Sequence, residues 1–290
     1  MPELPEVETV RRMLEPVMAG ARFEAVIARR ADLRGPLPEQ FAARLIGTRV
    51  MAVTRRAKYL VTPLSSGETL VMHLGMSGWF RVDDESSAEA RGDSAPSPAM
   101  LLVANPHDHV LFRMSSGAVV TFNDPRRFGS MELVPAGEIA NHPALGKLGP
   151  EPLSPEFDAF ALARACKGKK VSLKVALLDQ RVVAGLGNIY AAEALHRAHL
   201  SPRRTASTIA TPTGQPRDSA HRLAAAIKRV LTAAIDRVAA DNAAGGEYRA
   251  SRFRVYDREG AKCQTTGCGG TIRRFDQAGR STFYCPRCQK

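Results

Sequence analysis

The sequence predicts a two-lobed α+β protein. An N-terminal β-sandwich with flanking helices is expected over residues 1–135, a hinge over 136–155, a helical lobe over 156–250 and a small cysteine-bearing β-hairpin over 251–290. Three observations lead to this division. Short β-rich segments punctuated by Gly and Pro run to residue 134, the apolar period turns helical beyond Ser154, and four of the five cysteines crowd into the last 28 residues.

In chain order, residues 5–19 are expected to be helical because Val7, Val10 and Leu14 fall on one face. Strands are expected at 22–30, 49–54, 58–64, 68–73, 109–113, 117–122 and 129–134. They do not alternate with helices, so two packed sheets are favoured over βα units. Residues 83–100 are polar and small and read as an excursion from a hairpin. Pro143, Pro150, Pro152 and Pro155 mark the hinge, and Ser154-Pro155 makes a good N-cap and first helical turn. Leu223, Ile227, Leu231 and Ile235 place a helix from Ser219 to Ala240. Between these, residues 171–202 hold two apolar helical patterns separated by Ala-Gly-Leu-Gly-Asn. The glycines allow a tight turn, and Asn188 is expected to cap the second helix, whose N-terminus would suit a phosphate.

The charge is uneven. Residues 1–150 carry 17 Lys and Arg against 17 Asp and Glu, whereas residues 151–290 carry 24 against 12, the whole +12 excess of the 290-residue chain. A neutral half followed by a basic half points to a polyanionic partner, nucleic acid before an anionic membrane. Lys167, Lys169, Lys170 and Lys174 are expected to attract a nucleic-acid backbone. No apolar run approaches the ~20 residues that span a bilayer, and no apolar leader follows Met1, so a cytoplasmic protein is expected.

Cys263, Cys268, Cys285 and Cys288 form the pattern C-x4-C-x16-C-x2-C. Two thiolate pairs each supply one edge of a tetrahedral metal site, and in a reducing compartment zinc is favoured over disulfides. The stretch GGTIRRFDQAGRSTFYC between the pairs reads as two short strands joined by an Ala-Gly turn, the scaffold of a zinc ribbon. Cys166 lies apart, in the apolar helical pattern FDAFALARAC, and reads as a core thiol.

The chain opens MPELPEVETVRR. Removal of Met1, which the small second residue permits, would expose the secondary amine of Pro2 beside Glu3. An α-amino group titrates near about pH 8, so a useful fraction is neutral and nucleophilic at physiological pH. A neighbouring carboxylic acid can protonate a departing group. Alone, Met-Pro-Glu is an ordinary start; its weight comes from strings further along the chain.

MPELPEVETVRR, RRAKYL (55–60), HLGMSG (73–78), NDPRRFG (123–129), LGPEPLS (148–154), the LLDQ and VAGLGNIY strings within 177–193, and the terminal cysteines occur in one order. The ordered set resembles the formamidopyrimidine-DNA glycosylase family, bifunctional repair enzymes for oxidised purines, over nearly the whole chain. The resemblance implies a helix–two-turn–helix in the helical lobe and one structural zinc on Cys263, Cys268, Cys285 and Cys288. It implies that Pro2 attacks C1′ of the damaged nucleotide, with Glu3 as acid, Glu6 as a further site carboxylate and Lys58 as proton donor in β-elimination. Arg280 at the hairpin tip would grip phosphates and serve δ-elimination. A buried base must be extruded; Met76, Arg126 and Phe128 would fill the gap, an apolar wedge with a planar cation. His107, Arg126, Lys170 and Asn188 match DNA-contacting positions. The implied partner is duplex DNA with oxidised bases or abasic sites, bent between the lobes by a monomeric, nucleoid-associated enzyme that uses no membrane.

Two departures stand out. The first cysteine pair has four intervening residues where many members have two, still within zinc tolerance. After the long helix the chain offers only DNAAGGEY where members commonly carry a longer Gly-Gly-Thr loop that covers the extruded base. This leaves an endonuclease-eight-like preference for oxidised pyrimidines as an alternative, and a non-catalytic damaged-DNA-binding protein as a second; Leu4 and NDPRRFG favour the purine enzyme.

Overall fold

A computed structural model of the chain describes residues 1–84, 105–243 and 253–290. The chain divides into two compact units, Met1–Gly146 and Lys147–Lys290. The first opens with α1 (Leu4–Met18), which buries Val7, Leu14 and Met18, and continues through β1 (Phe23–Ala28) and a short α2 (Phe41–Leu45). β2 (Thr54–Arg56), β3 (Tyr59–Pro63), β4 (Thr69–His73), β5 (Trp79–Asp84), β6 (Asp108–Met114), β7 (Ala118–Asn123) and β8 (Ser130–Val134) follow.

These strands form two antiparallel four-stranded sheets, ordered β2-β3-β4-β8 and β1-β6-β7-β5. A single apolar cluster joins them. Leu60, Leu70, Met72, Met131 and Leu133 come from one sheet, Phe23, Phe80, Phe112, Val120 and Phe122 from the other, with Leu14 and Met18 of α1. Two rows of inward alternate residues filling one core is the sandwich expected from the sequence. Phe23 meets Phe112 edge-on at 5.3 Å, and Phe80 tilts on Phe122 at 5.0 Å.

Two segments differ from expectation. Residues 49–54 make only isolated bridges at Arg49 and Val50 before β2 begins at Thr54. β5 is absent from the expected strands, because Arg81 and Asp83 disguise the inward pair Phe80 and Val82, and the polar excursion expected from residue 83 begins inside the strand's own register. Pairing with β7 overrides the poor strand propensity of Asp. The rest of the excursion, with most of the DNAAGGEY segment, lies outside the described residues.

The second unit comprises α3 (Ala159–Cys166), α4 (Leu173–Leu178), α5 (Asn188–Arg197), α6 (Asp218–Ala243) and the hairpin β9 (Arg273–Gln277) and β10 (Arg280–Tyr284). Leu223, Ile227, Leu231 and Ile235 of α6 are buried as the spacing required. The hairpin turn, Ala278-Gly279, holds both residues at positive φ, the primed geometry that matches strand twist. Cys166 is buried on α3, and burial pushes its thiol up to about 11, an inert core position.

Two caps are corrected. Asp158, not Ser154, caps α3: its Oδ1 accepts the Ala161 N–H at 2.7 Å, while Ser154 Oγ donates to the Glu151 carbonyl at 3.0 Å. Phe157, fully buried, turns the chain before the helix can start. Gly187 rather than Asn188 occupies the extended cap position of α5, and Asn188 is already helical.

Lys174 is also corrected. It is 1% exposed, so it offers no surface charge. Its ammonium donates to Ser281 O at 3.1 Å and to Thr282 Oγ1 at 2.6 Å, tying α4 to β10. A buried ammonium removed from water costs several kcal/mol unless such acceptors surround it, and removal strands the acceptors. Lys174→Met, which keeps the stem but deletes the donors, is expected to lower stability by about 2–3 kcal/mol, measured as a reduced urea-unfolding midpoint.

Candidate active site

The N-terminus is held by the first turn of α1. Glu3 is the extended N-cap residue and Pro5 sits in the first turn, where its missing N–H costs nothing. Glu3 and Glu6 form a capping box in which the Glu3 N–H donates to Glu6 Oε2 at 2.8 Å. Glu3 is buried. One turn further, Glu8 accepts from Arg11 and Arg12 and from Arg55 Nε at 3.2 Å. Burial opposes the charged form of Glu8, but these arginines hold its carboxyl below the usual carboxylate range.

Arg55 also donates through Nη1 to the Ala57 carbonyl at 2.8 Å. Ala57, buried at φ +52°, and Lys58 make the two-residue turn between β2 and β3. Lys58 therefore sits in a turn, one residue before the strand expected to begin with it. Glu8 and Arg55 thus connect the helix that begins the chain to the turn that presents Lys58.

The loops after β4 and β7 meet at Asp124. This fully buried carboxylate accepts from Ser77 Oγ at 2.6 Å, from Arg126 N at 3.3 Å and from Gly129 N at 2.8 Å. His109 Nε2 lies 2.9 Å from the Asp124 carbonyl, and the Asp124 N–H donates to the carbonyl of exposed His107 at 2.9 Å. Gly75, at φ +63°, lies so close to the Phe128–Gly129 backbone that a Cβ would come within 2.2 Å of the Phe128 carbonyl carbon. Backbone thus packs on backbone where the two loops touch.

Met76 is 38% and Phe128 43% exposed, which removes them from the core, and the Arg126 guanidinium stacks over the Phe128 ring at 4.8 Å. A cavity of ≈ 550 Å³ lies against them. Met1, Arg34, His73, Met76, Arg126 and Phe128 are among the residues lining it, so the chain start and these exposed side chains share one concavity. Gly75 N donates to His73 Nδ1 at 3.0 Å, and burial together with the charges of Lys58 and Arg34 holds the His73 imidazole down at about 4. His73 is therefore a neutral ring with its proton on Nε2 near neutral pH.

In the second unit the four Sγ atoms of Cys263, Cys268, Cys285 and Cys288 lie within 4.8 Å of one another. Cys263 and Cys288 are 3.8 Å apart and Cys268 and Cys285 3.6 Å. Tetrahedral zinc with Zn–S bonds of about 2.3 Å requires edges of about 3.8 Å, whereas a disulfide requires about 2.05 Å. A Cβ on Gly270 would stand 2.7 Å from Cys285 Sγ, so the cradle admits only glycine there. The donor set fits one structural zinc.

Family models match almost the whole chain. The formamidopyrimidine-DNA glycosylase N-terminal domain matches residues 1–131, the formamidopyrimidine-DNA glycosylase H2TH domain 148–243, and the zinc finger found in FPG and IleRS 260–290. The formamidopyrimidine-DNA glycosylases of Bradyrhizobium sp. (strain BTAi1 / ATCC BAA-1182) and Rhodopseudomonas palustris (strain BisB18) are 57% and 58% identical over 302 residues, each alignment covering 100% of both chains. The chain belongs to the formamidopyrimidine-DNA glycosylase family. Solved glycosylase structures agree in fold. The Lactococcus lactis formamidopyrimidine-DNA glycosylase bound non-covalently to AP-site DNA has a TM-score of 0.81 at 30% identity, covering 100% of each chain. The Thermus thermophilus protein has 0.78 at 37%, covering 99% of this chain and 98% of its own.

Of the site residues that the resemblance implies, the first unit gathers Met76, Arg126 and Phe128 with the chain start, and links Lys58 to α1. The second unit joins Asn188 to the strand that carries Arg280: Asn188 Nδ2 donates at 3.0 Å to the carbonyl of Ser281, the neighbour of Arg280. Arg280 itself is exposed at the first position of β10, and Lys170 is exposed before α4. Sequence reasoning missed Asp124, His73, Arg34 and Arg55. The Asp-Pro turn signal and the histidine heading HLGMSG were visible, but nothing in a string reports which carboxylate is buried.

Asp124→Ala would leave three donors without their acceptor and is expected to cost about 2–4 kcal/mol, read as a lowered melting temperature; Asp124→Asn should recover part of it by keeping one acceptor oxygen. For His73, the folded value of about 4 lies below the ordinary 6.5. Its contribution to stability is full above 6.5 and is lost as pH falls toward about 4, because the unfolded state takes the proton first. An NMR titration should place the His73 ring midpoint near 4; a midpoint above about 6 would contradict the buried, cation-flanked environment.

Proposed function

We propose that this protein is a base-excision DNA glycosylase with AP-lyase activity that removes oxidised purines from duplex DNA. The observation that carries the reading is the ≈ 550 Å³ cavity that gathers Met1 with Met76, Arg126 and Phe128. It supports a nucleophile at the chain start beside a device for replacing an extruded base. Solved family members are described in complexes with abasic-site and carbocyclic 8-oxo-G DNA, which supports the same substrate class.

In this reading Met1 is removed and the Pro2 nitrogen attacks C1′. The new N–C1′ bond forms as the bond from C1′ to the base breaks, and the departing base takes a proton delivered from Glu3. Ring opening gives an iminium, whose acidified C2′ proton is lost as the 3′ phosphate leaves in β-elimination, with Lys58 serving the proton transfers. δ-Elimination removes the C4′ proton and releases the 5′ phosphate from C5′, while Arg280 holds that phosphate through its planar fork. Water finally hydrolyses the iminium and frees Pro2. Glu6 acts through the capping box, holding the backbone of Glu3. Met76, Arg126 and Phe128 occupy the emptied stack, and His107, Lys170 and Asn188 contact the DNA backbone. The zinc organises the hairpin that carries Arg280 and takes no part in the chemistry. The enzyme acts as a monomer in the cytoplasm, at the nucleoid; no helix among the described residues is long and apolar enough to cross a membrane.

Borohydride should trap the Met1-processed protein covalently on 8-oxoguanine duplex, with little product from a thymine-glycol duplex. Pro2→Gly should lower trapping and strand nicking by at least about 100-fold, the scale of a lost nucleophile. Equal trapping by Pro2→Gly would remove Pro2 from the mechanism, and preference for thymine glycol would favour the pyrimidine reading.

A further inference from the structure

A second cavity, of ≈ 600 Å³, lies wholly within the second unit, apart from the residues proposed for catalysis and the cysteine cluster; of its lining residues only Lys167 was among those expected to attract a nucleic-acid backbone. Lys167, Arg204 and Arg217 line it, with the hydroxyls of Ser207, Thr208 and Thr211. No Asp or Glu is among its lining residues.

The cations are held in place. Arg204 Nε donates to Thr208 Oγ1 at 2.6 Å, and that hydroxyl donates to the Thr205 carbonyl at 2.6 Å. Arg217 Nε donates to the Ala210 carbonyl at 3.1 Å. The Lys167 stem runs beside Gly214, where a Cβ would stand 3.3 Å from Lys167 Cδ. Each guanidinium is thus anchored by Nε, which leaves its outer edge for a ligand.

Nearby carboxylates serve other cations: Asp179 pairs with Arg181 and Lys169, and Asp218 with Arg222. Among the described residues, Lys167, Arg204 and Arg217 form no ion pair. Three like charges converging on one concavity repel one another, an arrangement that an anion relieves. The Thr208 proton is committed to the Thr205 carbonyl and Thr211 Oγ1 is bonded to Thr213, which leaves the Ser207 hydroxyl beside the fixed guanidinium groups as a neutral donor for a phosphate. The volume falls in the range of small-ligand sites and exceeds what one bare phosphate needs.

The cavity wall is also laced to the segment that carries Lys170. Leu173 N donates to Arg204 O at 2.6 Å, Ala206 N to Val171 O at 2.9 Å and Ser207 N to Lys169 O at 3.1 Å. We propose that this cavity binds a phosphate-bearing nucleotide unit, independently of Asn188 and Arg280. The phosphate comes either from a DNA strand beyond the lesion or from a free nucleotide; the chemistry recognised is the same.

Inorganic pyrophosphate is the probe for that chemistry. Calorimetric titration of the zinc-loaded protein should show binding that falls at least tenfold in Arg204→Gln/Arg217→Gln and stays unchanged in Arg113→Gln, a surface arginine of the first unit paired with Glu24. Lys167→Met, at an exposed position, should weaken it severalfold and keeps the question answerable if the double variant does not fold. If the source is a DNA strand, each lost cation should lower the salt dependence of binding to a long lesion-free duplex by about one counterion. If the source is a free nucleotide, that slope stays unchanged while pyrophosphate and deoxynucleoside monophosphate binding are lost together. Unchanged pyrophosphate binding in both Lys167→Met and the double variant, or equal loss in Arg113→Gln, would overturn the proposal. Neither result bears on borohydride trapping by Pro2, which tests the glycosylase reading separately.

Discussion

The first unit depends on one buried carboxylate. Asp124 sits where the loop from β4 and the loop from β7 meet, and it receives donors from both: Ser77 from the first, Arg126 and Gly129 from the second. A buried polar group without water is tolerated only when such donors surround it, so the side chain dictates where each loop lies. The side chains that do not enter this knot, Met76, Arg126 and Phe128, are thereby forced outward. Exposed apolar side chains stay exposed on an anchored backbone; on a slack loop they would collapse into the nearest core.

Gly75 makes the arrangement steric as well as electrostatic. Its contact with the Phe128–Gly129 backbone leaves no room for a side chain, so the two loops are joined by van der Waals contact and by a shared hydrogen-bond acceptor. The neutral His73 belongs to the same junction, because a protonated ring could not accept the Gly75 N–H. Elsewhere in the sandwich, Glu8 and Arg55 do the corresponding work for the chain start and the Lys58 turn. The second unit follows a similar logic, with the cysteine cluster and the buried Lys174 holding a small hairpin that has little apolar core of its own.

Legibility varied with the range of the interaction. α6 was readable from Leu223, Ile227, Leu231 and Ile235, and the hairpin from its Ala-Gly turn and cysteine spacing, because those signals are local and periodic. β5 was hidden, since Arg81 and Asp83 look like loop residues until β7 is beside them. Ser154 and Asn188 were plausible caps by residue type, but Asp158 and Gly187 hold the cap geometry, and the choice depends on where Phe157 is buried and where Ser281 lies. Lys174 misled for the same reason: a lysine in a basic string looks solvated until its acceptors, 107 and 108 residues away, are brought to it.

The sequence by itself determined the sandwich and the helical unit, the zinc ligands, the family and the identity of the residues proposed for catalysis. These rest on periodicity, cysteine spacing and ordered strings, all of which are properties of neighbours along the chain. Only the tertiary structure decided which groups are buried and what they hold: that Asp124 fastens the two loops carrying Met76, Arg126 and Phe128, that Arg55 joins α1 to the Lys58 turn, that Lys174 is structural, and that Lys167, Arg204 and Arg217 line one cavity without a counter-charge. Burial and convergence are set by contacts between residues distant in sequence, and the cost of an unpaired polar or charged group exists only once the fold has taken away its water.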